Sequence, residues 1–433
     1  VRRIPILSLR LLLLGLVTLA ITLLGRWATL HQAFSCTTWP LCWPQGGKGW
    51  LDLLHRGLVL LALLLLGDVL RRAWRDYRQD ETLLPLATLL GVLFGGQVLI
   101  GALLVQRGNP LHLLVLHALT MFALWADLLI LAWLSLSRSP QPLSQPRRWQ
   151  DFFMLTKPLI VGLLLITTLG GMVAGARAWP RPTLMFWTLL GGALAAGGSG
   201  VINQYIDREI DRHMQRTARR PLAAGRITPA EALAFGLALC LISYYLLAGF
   251  VNLTAALLSL AGILYYVFLY SIVLKRRTVQ NIVIGGGAGA IPPLVGWAAV
   301  TGSLDWPAFF LFLIIFLWTP PHFWALSIVR RKDYERAGVP MLPVVRGEQE
   351  TRRQIWLYTI VLVAVTWLMR PLGIAGNVYF FSAIVLGIWL LTGAWRVWRR
   401  AGNKVAWQMY RWSSMYLFFL FLALMMDRMM PIP

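Results

Sequence analysis

The 433-residue sequence predicts an all-α integral membrane protein with about thirteen transmembrane helices. Three observations carry that reading. The chain is 58% hydrophobic and 13% charged, with 21 Trp, the profile of a polytopic membrane protein rather than a soluble globule. Its apolar residues fall into stretches about long enough to cross a bilayer, roughly 20 residues each. Strand-type alternation is absent, so the spans are helical.

The first stretch, 4–25, follows Arg2-Arg3 as a secretory leader would. Its length and the lack of a small-x-small cleavage site predict a retained anchor. Stretches at 53–70, 83–105 and 111–136 complete a four-helix module over residues 1–137. Residues 138–150 are polar and proline-rich, a linker composition. The remainder, 151–433, holds stretches at 155–176, 183–205, 230–249, 253–274, 279–300, 306–329, 355–370, 375–396 and 409–428.

A net charge of +23 invites a nucleic-acid reading, but the distribution excludes it. With the N-terminus inside, alternate loops collect Arg71, Arg72, Arg75 and Arg78, then Arg138, Arg147, Arg148 and Lys157. Later ones hold Arg208–Arg226, Lys275–Arg277, Arg330–Arg353 and Arg396–Arg411, while the opposite loops carry few cations. This is the positive-inside asymmetry of a multi-pass protein in the cell's cytoplasmic membrane, whose surrounding partner is lipid.

Asn203-Gln-Tyr-Ile-Asp207-Arg-Glu-Ile-Asp211 ends the sixth stretch. Steps of four turn a helix by about 40°, so Asn203, Asp207 and Asp211 share one face over about 12 Å. Acidic groups beside a membrane are expensive, and two carboxylates with an amide suit Mg²⁺ that keeps positions for substrate phosphates. A helix end with solvated charges is the plainer alternative. Lys275-Arg276-Arg277 and Asp333 reach the same membrane surface from two other segments. Carboxylates for a metal and cations for phosphate oxygens, next to an apolar bundle, suit a substrate with a diphosphate head and a greasy tail.

The ladder, followed by Arg219-Arg220-Pro221-Leu222 and Gly225-Arg226-Ile227, resembles the intramembrane prenyltransferase superfamily. Leu274–Gly286, Trp318-Thr-Pro-Pro-His322-Phe-Trp-Ala-Leu326 and Asp333-Tyr-Glu-Arg-Ala-Gly-Val-Pro-Met-Leu-Pro343 are similar to the protohaem IX farnesyltransferases, or haem O synthases, in particular. That resemblance covers residues 151–433. It implies transfer of a farnesyl group from farnesyl diphosphate to a vinyl group of protohaem IX. It further implies Mg²⁺ on Asp207 and Asp211 with Asn203 assisting, and Lys275, Arg276 and Arg220 on the diphosphate. The relatives that act on aromatic quinone precursors carry a second D-x-x-x-D ladder, whereas this loop offers Asp333 and Glu335 two residues apart. His322 follows Pro320-Pro321, which disturb the helix. It serves either the substrate haem iron or a proton, or is a hydrogen-bonded histidine at a helix break. Gly285–Gly289 has no strand before it and reads as close helix packing rather than a phosphate loop. Cys240 reads as an inert buried thiol.

In the N-terminal module, His55 and His117 stand at similar depth on separate helices, as a bis-imidazole haem requires. Ser35-Cys36-Thr-Thr-Trp39-Pro40-Leu41-Cys42 with Asp52-Leu-Leu-His55-Arg56 resembles the first half of haem A synthases. The resemblance implies a haem on His55 and His117, a disulfide between Cys36 and Cys42, and Asp52 where that family has Glu. Only one half is present, so oxidation of haem O would need a homo-oligomer or a separate partner such as a haem A synthase or terminal oxidase. A non-catalytic haem-binding or assembly module is the alternative. His31 and His112 read as interfacial polar residues, with His112 a weaker ligand candidate.

Overall fold

The computed structural model describes residues 5–30, 47–108, 110–141, 146 and 148–430, and those residues form helices and their connections with no strand. In chain order the helices are α1 (Ile6–Leu30), α2 (Gly47–Asp76), α3 (Leu83–Arg107), α4 (Leu111–Ser135), α5 (Trp149–Leu155) and α6 (Pro158–Ala176). There follow α7 (Pro182–Ile206), α8 (Arg208–His213), α9 (Pro229–Phe250) and α10 (Leu253–Leu264), which continues as a π-helix over Tyr265–Leu274. The last are α11 (Asn281–Thr301), α12 (Trp306–Val329), α13 (Arg331–Arg336), α14 (Leu342–Val345), α15 (Gly347–Leu368), α16 (Asn377–Arg399) and α17 (Asn403–Met429).

Twelve of them are long and apolar enough to cross a membrane, against thirteen expected. The expected stretch that is not among the twelve lies in α15. Its first two turns carry Glu348, Glu350, Arg352 and Arg353, which leaves Ile355–Leu368 as apolar length. At 1.5 Å per residue that is about 21 Å, short of a roughly 30 Å hydrocarbon core. Leu9, Leu16, Leu64, Phe122 and Trp133 are among many large apolar side chains that point outward, as lipid-facing positions do.

The chain divides into two compact units, one of residues 1–149 with 227–245, the other of 150–226 with 246–433. In the first, α1 to α4 each pack on their sequence neighbours and α1 closes against α4, the antiparallel four-helix arrangement that short connections dictate. Leu11, Leu14, Ala62, Leu66, Leu90, Leu124 and Leu131 fill its core, and Ala230 and Ala234 of α9 join them.

Polar chemistry fixes that last contact. The Glu231 backbone N–H donates to Thr228 Oγ1 and the Thr228 N–H to Glu231 Oε2, both at 3.1 Å, a reciprocal capping box at the start of α9. Arg78 Nε donates to Glu231 Oε1 at 2.7 Å with both side chains buried, and the Thr228 hydroxyl donates to the Arg78 carbonyl. Glu231→Ala removes the carboxylate from a buried ion pair and is expected to cost about 3–5 kcal/mol, whereas an apolar double replacement of Arg78 and Glu231 is close to neutral. Thermal denaturation of the two variants checks this, and equal melting temperatures would refute it.

In the second unit α6 packs on α11, α11 on α12, α12 on α15 and α17, and α15 on α16. Small residues set the closest crossing. A Cβ at Gly171 would stand 2.1 Å from the Pro293 carbonyl oxygen, and one at Gly296 would stand 1.9 Å from that of Thr168. Trp297, Ile314, Ile315, Tyr379, Tyr416 and Phe421 make up much of the core behind this crossing.

Candidate functional site

Helix α7 does not carry the whole acidic ladder. It stops at Ile206, Asp207 takes φ −88° and ψ 2°, and α8 begins at Arg208. The expected single helix face is therefore a broken one. The step of four survives because the Asp207 N–H still donates to the Asn203 carbonyl (2.9 Å) and the Asp211 N–H to that of Asp207 (2.8 Å). All three side chains are buried, Asp207 at 1% exposure.

Each ladder residue meets a cation. Lys275 Nζ donates to Asp207 Oδ2, which also accepts from Asn203 Nδ2 at 2.8 Å. Arg220 Nη1 donates to Asp211 Oδ2 at 2.7 Å. Lys157 Nζ donates to Asn203 Oδ1 at 2.9 Å, while Asn203 Nδ2 reaches the Ser271 hydroxyl at 3.0 Å. Three cations thus face two carboxylates, a surplus of positive charge that favours an entering polyanion. Burial, with Arg220 and Lys275 close by, lowers the Lys157 ammonium to about 7 against the pull of Asp207 and Asp211.

Sequence reasoning missed Lys157 as a site residue. Its one signal was Lys-Pro at the start of a span. The structure holds Lys157 at the left-handed φ of 56° as the N-cap of α6, a conformation few side chains adopt without compensating contacts.

Asp207 Oδ1 is buried with no hydrogen-bond partner among the described residues. An orphaned carboxylate oxygen beside a second carboxylate and an amide fits Mg²⁺, which needs one or two protein carboxylates and fills the rest of its shell with water and phosphate oxygens.

The π-helix supplies the wall above the ladder. With i→i+5 bonding the Lys275 N–H donates to the Tyr270 carbonyl at 2.9 Å, and such bulges re-aim side chains at functional sites. Tyr266 and Tyr270 stack at 5.5 Å, and Lys157 Nζ lies 6.0 Å from the Tyr266 ring centre. Gly285 makes room for the Tyr270 ring and Gly287 for the side chain of Tyr265. A Cβ on Gly285 would meet Tyr270 at 2.3 Å and one on Gly287 would meet the Tyr265 hydroxyl at 2.7 Å. Gly285→Ala is expected to displace Tyr270, at about 1–3 kcal/mol of stability, with loss of turnover larger than loss of thermal stability. Parallel activity and melting curves test it.

Not every predicted residue joins the ladder. Arg276 lies on the Ile206 carbonyl at 3.5 Å. Asp333 is buried but bound by Arg336. Its neighbour Tyr334 packs with Ile210, Met214 and Ile282 and feels Arg216, Tyr270 and Lys275, while burial raises its phenol. The Asp333 loop therefore reaches the site through Tyr334. His322 is engaged elsewhere: Nδ1 lies 2.8 Å from the Ser413 hydroxyl, and the ring stacks on Trp318 at 4.2 Å and lies 4.5 Å from Tyr410.

In the first unit His55 and His117 lie close enough for their charges to interact. His117 Nε2 sits 3.0 Å from the Gln97 amide, and its Nδ1 is buried without a partner among the described residues. His55 contacts the Ile21 backbone, and Gly25 leaves room for its ring, 3.1 Å from where a Cβ would be. A half-buried imidazole pair with an orphaned nitrogen fits axial ligation of haem. Arg56 holds both oxygens of buried Asp52, at 3.2 and 3.3 Å. His112 is exposed and Cys240 is a free, half-buried thiol. Cys36, Cys42 and His31 lie outside the described residues.

Comparison with known proteins adds a family. The model of the UbiA prenyltransferase family matches residues 164–422. A protoheme IX farnesyltransferase of Roseiflexus sp. (strain RS-1) is 45% identical over 422 residues, 91% of this chain and 79% of that protein. That span exceeds residues 151–433, so the similarity takes in part of the N-terminal module. One from Gloeobacter violaceus (strain ATCC 29082 / PCC 7421) is 53% identical over 278 residues, 64% of this chain and 91% of that protein. Among solved structures, one of digeranylgeranylglyceryl phosphate synthase aligns with a TM-score of 0.56 at 19% identity, over 65% of this chain and 98% of that one. This last likeness is one of fold.

Proposed function

This chain belongs to the UbiA prenyltransferase family, and we propose that it transfers the farnesyl group of farnesyl diphosphate to a vinyl group of protohaem IX, giving haem O. The observation that carries the reading is the buried ladder Asn203, Asp207 and Asp211 inside a ring of Lys157, Arg220 and Lys275. The relatives named above act on protoheme IX.

The chemistry follows from those residues. Lys157, Arg220 and Lys275 bind the diphosphate oxygens and hold the allylic C1–O bond with Tyr266 and Tyr270 beside it. When bound on Asp207 and Asp211, Mg²⁺ supplies further neutralisation of the leaving group. The C1–O bond breaks with both electrons going to diphosphate. The vinyl terminal carbon then bonds to C1, and the cation left next to the porphyrin takes up water and releases a proton, leaving a hydroxyethylfarnesyl group.

Incubating the purified chain with farnesyl diphosphate, Mg²⁺ and either protohaem or an aromatic quinone precursor separates the two acceptor classes. Farnesylated haem by mass spectrometry is the expected product. A prenylated aromatic acid with no modified haem would overturn the assignment.

For the first unit, the His55 and His117 pair supports haem binding. Commitment of the Asp52 carboxylate to Arg56 favours a haem-handling role over acid–base chemistry in haem oxidation. His117→Ala is expected to abolish the bis-imidazole absorbance of the purified protein while farnesyl transfer to added haem persists. An unchanged spectrum would remove this pair as the ligands.

A further inference from the structure

Arg428, in the last turn of α17, is 4% exposed, and its Nε–H has no partner among the described residues. The adjacent carboxylate does not answer it. Asp427 Oδ2 accepts from the Gly376 N–H at 2.6 Å and Oδ1 from the Tyr379 N–H at 3.1 Å, so this side chain caps the start of α16. Burial of a guanidinium with an N–H left without an acceptor is unfavourable unless an anion joins it.

A second guanidinium makes the need greater. Arg177 acts on the charge of Arg428. Helices α6 and α17 pack together with Gly170 against the Phe421 ring, and two turns further along each helix stand Arg177 and Arg428. Arg177 caps the end of α6 at a left-handed φ of 50°, a strained conformation for a side chain-bearing residue. This end of the unit is opposite Lys157, which caps the start of α6. Its loops are those expected to carry few cations, so the pair is not part of the orientation signal. Exposed Trp179 and Trp306 stand at the same end, as residues at the level of lipid headgroups do.

We propose that Arg177 and Arg428 form a binding site for a phosphate anion carried by a membrane-lipid headgroup at the end of the second unit remote from the acidic ladder. Guanidinium pairs phosphate bidentately and is weakly hydrated, so it tolerates such burial where an ammonium would not. The anion compensates Arg428 while the acyl chains lie along the apolar flanks of α6 and α17.

The test places the full chain in nanodiscs of phosphatidylcholine with and without phosphatidylglycerol, and in detergent with inorganic phosphate. Melting temperature and lipid retained by native mass spectrometry are read for wild type, Arg428→Met and the exposed-site variant Arg177→Gln. Phosphatidylglycerol is expected to raise the wild-type melting temperature by several degrees, and both variants to retain at least tenfold less of it. An equal rise from inorganic phosphate alone would overturn the lipid assignment. An Arg428→Met protein as stable as wild type in both lipids, with undiminished lipid retention in Arg177→Gln, would overturn the site.

Discussion

Asp207→Asn is expected to lower kcat/KM for farnesyl transfer about 10³-fold, roughly 4 kcal/mol of transition-state stabilisation, with unchanged membrane insertion. Asparagine keeps the shape of the side chain and its bond to Asn203, so the loss reports charge rather than packing. Asp207 is where the requirements of the site meet: Oδ2 holds Lys275 and Asn203 while Oδ1 has no partner among the described residues. The variant removes the charge that orients Lys275 and weakens the proposed Mg²⁺ position together, so the Mg²⁺ concentration for half-maximal rate rises as well. Asp333→Asn is the internal control. Its carboxylate is bound to Arg336 and outside the ladder's contacts, so its rate falls by no more than about tenfold. Near-wild-type turnover in Asp207→Asn, or an equal loss in Asp333→Asn, would refute the placement of the reacting diphosphate.

The acidic ladder was legible because its spacing is local. Residues four apart converge whether the helix is continuous or, as here, broken at Asp207 with the same backbone bonds. Lys275 and Arg220 were legible because they sit in the same basic loops as the orientation signal. The same reason made Arg276 indistinguishable from its neighbour: only the π-helix turns Lys275 onto Asp207 and leaves Arg276 on the Ile206 carbonyl. No periodicity announces an i→i+5 segment in an apolar run. Nothing in the sequence singles out Glu231. Its partnership with Arg78, 153 positions away, is set by packing, as is the grouping of 227–245 with the first unit. For α15, the apolar run marked the helix but not its charged first turns, which extend it back to Gly347.

Lys157 makes the pH dependence of substrate binding a measurable property of one side chain. Its ammonium titrates near 7 in the folded chain against about 10.4 when solvated. The unfolded chain therefore binds more protons between these values, and this group's contribution to stability rises as pH increases from about 7 to about 10. Diphosphate binding reverses the balance. The incoming negative charge favours the ammonium, so at pH 8 the protein takes up close to one proton as pyrophosphate binds, and affinity falls as pH rises above 7, by at most about tenfold per unit. Lys157→Arg keeps its charge throughout this range and removes that slope while retaining tight binding. Lys157→Met removes the slope and weakens binding at pH 6 by about tenfold or more. Calorimetry in buffers of different ionisation enthalpy measures the proton count, and the ligand's own ionisation is common to all three proteins. Equal proton uptake by wild type and Lys157→Met at pH 8 would show that the ammonium is already charged before substrate arrives, and that the surplus of buried positive charge in this pocket is compensated some other way.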